Sequence, residues 1–341
     1  MYLQGEQKYN EFVYLCEEDI HIKKLMLDKM HFSIRQITRI KKGTDILTVN
    51  GLPLPKNGMI QKGDLISIHL AAESSDYKTQ YRQLKTLYED EDLLIVDKEP
   101  FIVVHPTKSH LEDTLLNYVQ GYFEQNDIHS VVRFISRLDR DTSGIITIAK
   151  NSFSHYALSQ GHLSKHIKKY YTAVTKNPPE QKSGTIDLPI FKDGDEIRRK
   201  IDERGQRAIT HYKVEKITDR FCVIRLLLET GRTHQIRLHL SHIGCPIIGD
   251  ELYVKETETE TEIEKQNIPS SKNETKNSTQ SNTENSTNHD TKSNSEHKKT
   301  QIMRQALHCS DLELISPRSG KKITVHSDLP NDMTTLINRI L

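Results

Sequence analysis

Apolar positions recur along this chain at two spacings, one typical of helices and one typical of strands. In the N-terminal part they follow helical spacing across residues 22–34, and strand-like apolar runs stand at 46–49 and 65–68. Asn50-Gly51, directly after the first of these runs, favours a tight turn between strands. We therefore predict that residues 11–70 form a small module of helices and short strands.

A polar stretch at residues 71–81 predicts a linker between this module and a second, longer unit at 82–341. Apolar runs bounded by charges predict buried strands there, and apolar positions three and four residues apart predict helices. In chain order these elements are a strand ending at Lys98, helices within 111–125 and 154–165, a strand at 221–229, and a helix with Thr233 as its N-cap.

The pattern stops at residues 255–300, where Glu-Thr repeats give way to Ser, Asn, Thr, Lys and Glu with almost no apolar residues. Such a segment cannot bury enough apolar surface to offset its ordering entropy, so we predict that it is disordered. Apolar positions resume at Met303. We interpret the segment as an insertion in a surface loop, which the fold tolerates because loop-closure entropy grows only logarithmically with length.

The net charge is +1 over 341 residues, which by itself argues against a nucleic-acid partner. An acidic segment in one place can mask a basic face elsewhere, so the distribution matters more than the sum. Basic residues crowd the helical half of the N-terminal module, namely Lys23, Lys24, Arg35, Arg39, Lys41 and Lys42. This cluster is either a solvated helix face, as charge runs usually are, or a surface that binds RNA phosphates.

Neither a secretory signal nor a membrane span is visible in the sequence. The opening residues are polar, and no run approaches the roughly 18 apolar residues that a span needs. We therefore expect a cytoplasmic protein without a membrane partner. The four cysteines are far apart and form no Cys-x-x-Cys pair, which predicts free thiols rather than a disulfide framework or a zinc ribbon.

A dense polar turn at residues 137–143 stands directly before the apolar run 145–148. Its charged residues alternate in sign, and Gly144 permits a tight bend before the run. Asp139, flanked by cationic side chains, would stay ionised and be held in a fixed direction. The turn is either a catalytic carboxylate with its partners or a salt-bridged cap on a strand.

Two further stretches carry candidate binding residues. Lys169 and Tyr171 stand where a basic run leads into a strand, so they could hold a phosphate and stack a base, although a core tyrosine gives the same pattern. Arg232 and Arg237 lie at the turn from the strand at 221–229 into the next helix, where a cation could reach a carboxylate or a phosphate.

The same helix invites a metal interpretation through His234, His239, His242 and the nearby Cys245. Their spacing does not put three ligands on one face, and no glutamate completes a known zinc pattern. We therefore predict no metal site there.

The segment Arg137-Leu138-Asp139-x-x-Thr142-Ser143-Gly144 resembles the signature of the large pseudouridine synthase family that modifies uridines in ribosomal and transfer RNA. Further segments resemble the other motifs of that family in the same order, namely Val103-Val104-His105-Pro106, Lys169-x-Tyr171-x-Ala173, residues 230–253, and Arg304-Gln305-Ala306-Leu307-His308. The chain departs from the family pattern at Glu99-Pro100-Phe101, where a Pro-x-Gly is usual, and at Ser136, where a histidine is common. The N-terminal module is similar to the small RNA-binding module, named after a small-subunit ribosomal protein, that precedes many of these synthases.

This resemblance implies an α+β fold with a mixed, largely antiparallel sheet, and a site in a central cleft. It implies an RNA pseudouridine synthase, an isomerase acting on ribosomal or transfer RNA, with Asp139 as the catalytic carboxylate, Tyr171 against the target base and Arg237 paired with Asp139. We expect a monomer that uses neither metal nor cofactor. Residues expected to contact RNA are Arg137, Arg140, Lys169, Arg232 and the six basic residues of the N-terminal module.

Two alternatives come from other functional classes. A catalytically inactive RNA-binding or ribosome-assembly protein on the same fold is supported by the two departures from the family pattern. An unrelated hydrolase with Asp139 as nucleophile lacks a companion general acid or metal cluster in the sequence.

Overall fold

A computed structural model describes residues 2–3, 8–107, 110–253 and 302–338 of the chain. The predicted insertion at 255–300 lies outside these residues. Six α-helices stand in the described ranges: α1 Ile22–Lys24, α2 Ile34–Lys41, α3 Leu115–Gln125, α4 Ser152–Ser159, α5 Gln235–His242 and α6 Asn331–Asn338. None of these helices has the length and apolarity that a membrane span needs.

Short strands make up most of the remaining regular structure. They are β1 Glu11–Leu15, β2 Ile20–His21, β3 Ile46–Val49, β4 Leu52–Pro53, β5 Met59–Ile60, β6 Leu65–His69, β7 Thr86–Glu89, β8 Leu93–Lys98, β9 Arg133–Phe134, β10 Ser143–Ala149, β11 Lys168–Thr175, β12 Ser183–Asp187, β13 Ile190–Lys192, β14 Arg199–Ile201, β15 Ile209–Ile217, β16 Cys222–Leu228, β17 Leu307–Ile315 and β18 Lys322–His326.

The large sheet has ten strands, and its main path runs β12-β15-β16-β11-β17-β10-β8-β7, with β18 paired to β17 and β9 paired to β10. Among the strand pairs in the described residues, β10 and β17 are the parallel pair, and the others are antiparallel. The predicted α+β class with a mixed, largely antiparallel sheet is therefore confirmed. The strands predicted to end at Lys98 and to span 221–229 are confirmed as β8 and β16.

Strands β10 and β17 meet at the centre of this sheet, next to the polar turn at 137–143. Their contact is short, since only Ser143 and Gly144 pair with His308 and Cys309. Gly144 has φ +111°, and a Cβ atom there would lie 2.3 Å from the carbonyl oxygen of Cys309. Only glycine permits so close an approach, and the polar turn is thereby fixed at the middle of the sheet.

The N-terminal residues form a separate four-stranded sheet of order β1-β6-β3-β4, with its own apolar core. The predicted strands at 46–49 and 65–68 are confirmed as β3 and β6, and Asn50-Gly51 makes the expected turn with both φ angles positive. Residues 22–34, where apolar spacing predicts helical structure, contain more than one helical segment. The chain forms α1, then a π-helical turn at Leu25–Lys29, and restarts at α2 because Ser33 and Gln36 make a capping box.

Buried polar contacts hold the N-terminal sheet against the large one. The Arg318 guanidinium donates to Asp92 at 2.9 Å and to the carbonyl oxygens of Tyr9 and Glu11. Its carbon also lies 4.0 Å from the ring centre of Phe12. Phe153 from α4 packs in the apolar core of the N-terminal sheet. The two sheets are therefore joined through buried groups.

Candidate active site

Residues 135–142 connect β9 to β10 and carry Asp139, and we call them the Asp139 loop. Its backbone carbonyls point toward two buried cations. Lys98 Nζ donates to the Arg140 oxygen at 2.9 Å, and Arg304 Nη1 donates to the Asp141 oxygen at 3.0 Å. Because both cations come from or adjoin strands of the large sheet, they fix the backbone on the C-terminal side of Asp139.

Arg237 joins Asp139 to a second carboxylate. Its Nη1 donates to Asp139 Oδ2 at 3.0 Å, while its Nε and Nη2 bind both oxygens of Asp250 at 2.7 and 2.8 Å. The Asp250 side chain is 1% exposed and that of Asp139 is 25% exposed. Asp250 therefore orients the guanidinium through a two-point contact, and Asp139 keeps one face open to the cavity.

Tyr253 and His234 complete the support of Arg237. The Tyr253 ring centre lies 5.3 Å from the guanidinium carbon, and its hydroxyl is 3.0 Å from His234 Nδ1. The other ring nitrogen of His234 lies 4.0 Å from Asp139 Oδ2. Burial is the main cause that lowers the pKa of His234, which favours a neutral imidazole beside the carboxylate.

The start of α5 differs from the sequence prediction, which makes Thr233 the N-cap. The N-cap is His234, with φ +57° and no capping side chain. The side chain of Gln235 instead orders the turn before the helix. Its oxygen accepts hydrogen bonds from the backbone N–H of Arg232 at 3.0 Å and from Thr230 Oγ1 at 2.8 Å. The left-handed turn at His234 is what brings its ring toward Asp139.

Asp139 faces a cavity of about 570 Å³. Every candidate that the sequence placed in the second unit lines it, namely Arg137, Asp139, Arg140, Lys169, Tyr171, Arg232 and Arg237. Asp139 is the single acidic side chain among the lining residues. A cavity with one carboxylate and several cations suits a polyanionic substrate.

The cations around the cavity differ in their availability. Arg137 and Lys169 have no hydrogen-bond or ion-pair partner within the described ranges, and Arg232 donates only to the carbonyl of Arg207 at 3.2 Å. Arg140 is paired with Asp141 at 2.6 Å. The side chains of Arg137, Lys169 and Arg232 thus remain available to a ligand.

Lys169 and Tyr171 lie near the start of β11, on the side of the strand that faces the cavity. Burial lowers the pKa of Lys169. Burial, together with the Cys309 thiol and the Asp139 carboxylate, holds the pKa of Tyr171 well above its usual value. Tyr171 therefore carries its proton at neutral pH and presents an uncharged ring to the cavity.

The basic residues of the N-terminal module do not line this cavity. Lys23, Lys24, Arg35, Lys41 and Lys42 are exposed. Arg39 differs, because its guanidinium donates two hydrogen bonds of 2.8 Å, one to each carboxylate oxygen of the buried Asp45. The prediction that this cluster binds RNA stays a prediction, and the guanidinium of Arg39 is already engaged within the fold.

Four residues that contact the site's side chains or backbone receive no role from the sequence, namely Lys98, His234, Asp250 and Tyr253. Lys98 ends a buried strand, where a lysine is unusual enough to signal a role. Gly249-Asp250 lies in the motif that matches the family, but the pairing of Asp250 with Arg237 depends on the chain folding back after α5. No spacing in the sequence indicates that contact.

The histidines of α5 and the nearby Cys245 do not converge. His239 is bonded to Thr210 Oγ1 and to the carbonyl of Leu188, at 2.9 and 3.0 Å, while His234 contacts Tyr253. Within the described part of the chain, no group of three or more His, Cys, Asp or Glu residues could hold a metal ion.

Comparison with known proteins assigns the chain to a family. The family model described as RNA pseudouridylate synthase matches residues 92–242. The uncharacterized RNA pseudouridine synthase YjbO of Bacillus subtilis is 31% identical over 91% of this chain and 95% of its own length. Ribosomal large subunit pseudouridine synthase D of Pseudomonas aeruginosa is 31% identical over 86% of this chain and 83% of its own length.

The fold agrees with this assignment. The solved structure of human RNA pseudouridylate synthase domain containing 4 superposes with a TM-score of 0.53 at 20% identity, covering 75% of this chain and 92% of that one. The chain therefore belongs to the RNA pseudouridine synthases, which are isomerases. The family resemblance drawn from the sequence motifs is confirmed.

Proposed function

We propose that this protein converts specific uridines of ribosomal RNA, in the large subunit, to pseudouridine, with Asp139 as the catalytic carboxylate. The observation that carries the proposal is the 3.0 Å contact between Arg237 and Asp139 in a cavity otherwise lined by cations. The relative from Pseudomonas aeruginosa that is named for the large ribosomal subunit supports this choice of RNA. Transfer RNA is the other candidate substrate.

The cavity is suited to a nucleotide that has left its stack. A uridine in a duplex is out of reach of Asp139, so it must swing into the cavity at an unstacking cost of a few kcal/mol, which is smallest in loops and bulges. Arg137, Arg232 and Lys169 are candidates to hold the phosphates beside it. These contacts carry affinity and little sequence information.

The reaction rearranges one bond within the nucleotide. Asp139 acts either at the anomeric carbon or by assisting proton removal from the sugar, and the bond from the anomeric carbon to N1 of uracil breaks. The uracil rotates, C5 forms the new bond to the anomeric carbon, C5 loses its proton and N1 gains one. Atoms and electrons balance within the substrate. The side chains that take part in this scheme are Asp139, Arg237 and Tyr171.

Each of the three residues has a distinct role in this scheme. Arg237, itself fixed by Asp250, keeps the Asp139 carboxylate pointed into the cavity. Tyr171 packs against the uracil. Its hydroxyl oxygen, when ionised, accepts the proton that C5 loses. These roles are proposals drawn from the geometry together with the family motifs.

We further propose that residues 11–70 are an RNA-binding module, joined by a linker at 71–81 to the catalytic unit at 82–341. The separate apolar core of the N-terminal sheet and its exposed lysines support this division. We also propose that the enzyme is a monomer. A ribosomal substrate would be met in the cytoplasm, which we propose as the location of the enzyme.

The decisive experiment maps pseudouridine in total RNA by carbodiimide adducts and primer extension, in cells with and without this protein. Cells lacking the protein are complemented with the wild type, Asp139→Asn or Asp141→Asn. We expect specific sites to disappear without the protein and to return with the wild type but not with Asp139→Asn. Asp141→Asn, a carboxylate two residues away that is paired with Arg140, is the matched control and should restore the sites.

RNA binding separates the catalytic proposal from a simple folding defect. Asp139→Asn should bind the RNA within about twofold of the wild type, because it removes a negative charge from a cavity that binds an anion. Substantial pseudouridine formation by purified Asp139→Asn would rule out Asp139 as the catalytic group. No lost site in the cells, and none formed by the purified wild type, would favour an inactive RNA-binding protein.

A further inference from the structure

Phe101 stands in a backbone conformation that bulky residues rarely adopt. Its φ is +67°, in the left-handed region that favours glycine, and its side chain is 55% exposed. Single exposed apolar side chains are common, but this ring combines exposure with an unfavourable backbone and so gains little from packing. Residues strained in this way concentrate at ligand sites, where other interactions stabilise the unfavourable conformation.

The loop that carries Phe101 is joined to the Asp139 loop through Lys98. Lys98 Nζ donates to the carbonyl oxygen of Ile102 at 3.0 Å and to that of Arg140 at 2.9 Å. Two oxygens bound to one nitrogen place the backbone beside Phe101 against the backbone beside Asp139. The two backbone segments are therefore close in space, although 38 positions separate Phe101 from Asp139 in the chain.

The backbone that carries the ring leads into the cavity wall. Val103, two residues further on, lines the cavity, whereas Phe101 does not. The carbonyl of Val103 accepts from Leu115 of α3 at 2.8 Å, and Lys98 also holds the carbonyl of Glu99 at 2.8 Å. Bonds on both sides thus fix the backbone at Phe101, so the ring loses little freedom when it meets a ligand.

We propose that Phe101 is a stacking platform for a nucleobase that flanks the target uridine in the bound RNA. This inference rests on the proposed function. Aromatic side chains in single-stranded nucleic-acid sites stack on any base, since every base has a π face. The cavity wall carries Arg137 and Arg232, neither of which has an ion-pair partner among the described residues, and these charges favour a polyanion rather than an apolar peptide.

The first test uses Phe101→Gly in the full chain, with binding to an unmodified transcript of large-subunit ribosomal RNA as the readout. Affinity should fall roughly tenfold, as expected for the loss of one stacked base. The thermal unfolding midpoint should stay equal or rise, because glycine adopts this φ without strain. If the ring had only a structural role, its removal in Phe101→Gly would lower the stability and leave the affinity unchanged.

Salt dependence distinguishes stacking from a phosphate contact. Phe101→Gly should leave the slope of log affinity against log salt concentration unchanged, since no cation is removed. Arg137→Met in the same assay should reduce the magnitude of that slope by about 1. A reduced slope in Phe101→Gly would overturn the stacking assignment.

A direct spectroscopic test is available because the chain contains no tryptophan. Phe101→Trp introduces a single indole at this position, and the transcript should quench its fluorescence through stacking while affinity is retained. Ile217→Trp is the matched control, since Ile217 is 47% exposed and pairs with Cys222 at the end of β16 opposite to the cavity residue Leu228. Its fluorescence should not change.

The outcomes separate this inference from the proposed function. Pseudouridine formation by the wild type on the same transcript tests the function alone. An active wild type, together with unquenched fluorescence of Phe101→Trp and unaltered affinity of Phe101→Gly, would overturn the platform and leave the function standing. Quenched fluorescence of Phe101→Trp together with an inactive wild type would overturn the function and leave the platform standing.

Discussion

Tyr171 poses the sharpest question about a single residue, because its ring is buried and its pKa is raised well above the usual value. A protonated phenol can stack on uracil at neutral pH, but it accepts the C5 proton only from its minor ionised form. We expect Tyr171→Phe to bind RNA within about twofold of the wild type, because the ring is kept. Its single-turnover rate should fall by about 100-fold, the lower range for loss of a general base.

The pH profile gives the control for this prediction. If the tyrosinate removes the C5 proton, the wild-type single-turnover rate rises with pH from about 7 to about 9, because the ionised fraction grows below a raised pKa. Tyr171→Phe should show no such rise. Equal rates for the two proteins at every pH would leave Tyr171 with a stacking role only.

At the residue scale, the sequence predicts which side chains share the cavity but not what holds them. Asp139, Tyr171 and Arg237 are predictable because each stands in a short motif with distinctive residue types. Asp250 receives no role from the sequence, since its contact with Arg237 crosses a turn and depends on two-point geometry. The role of a residue can be predicted from the sequence when its motif is local. It cannot be predicted when a partner distant in the chain orients the side chain.

At the scale of elements, Lys98 joins β8 to the two loops that border the site. Its ammonium donates to three carbonyl oxygens, those of Glu99, Ile102 and Arg140, at 2.8 to 3.0 Å. Lys98→Met keeps the volume and removes all three bonds. We expect the free energy of unfolding to fall by about 3 kcal/mol, since buried carbonyls lose their donor. Equilibrium unfolding in urea measures this, and Lys85→Met, an exposed lysine paired with Asp97, is the matched control.

The pH dependence of Lys98 has a definite sign. Burial is the main cause that lowers its pKa in the folded protein from 10.5 to about 7. Between these values the unfolded chain binds more protons than the folded one, so the stability of the wild type should rise with pH from about 7 to about 10 relative to Lys98→Met. Below about pH 7 both states are protonated and the difference should be constant. A difference that falls over the alkaline range would contradict the assignment.

Elements with one strong pattern are predicted well, and elements that depend on local capping are not. β3, β6, β8 and β16 are short apolar runs with clear boundaries, and they are confirmed. The helical stretch predicted at 22–34 contains a break, because the Ser33 and Gln36 capping box starts a new helix. Apolar spacing continues smoothly through that break, so periodicity alone could not reveal it.

At the scale of the whole molecule, Arg318 determines how the N-terminal sheet sits on the large one. Its guanidinium and Asp92 are both buried, and it also binds the backbone at the start of β1. The exposed lysines of the N-terminal module are thereby held in a fixed direction relative to the cavity. If the module binds RNA as proposed, we expect a long RNA to contact both surfaces and a short oligonucleotide to reach only one.

Arg318→Met should loosen this arrangement, because it leaves the Asp92 carboxylate buried without its cation. The loss of one partner of a buried pair costs about 3 to 5 kcal/mol, and we expect a corresponding fall in the free energy of unfolding. Limited proteolysis should then cut within 71–81, and affinity should drop for a full ribosomal RNA transcript but not for a short oligouridylate. Arg204→Met, at an exposed pair with Asp202, should change neither the cleavage pattern nor the affinities. An unaltered cleavage pattern in Arg318→Met would show that apolar packing around Phe153 suffices to join the two sheets.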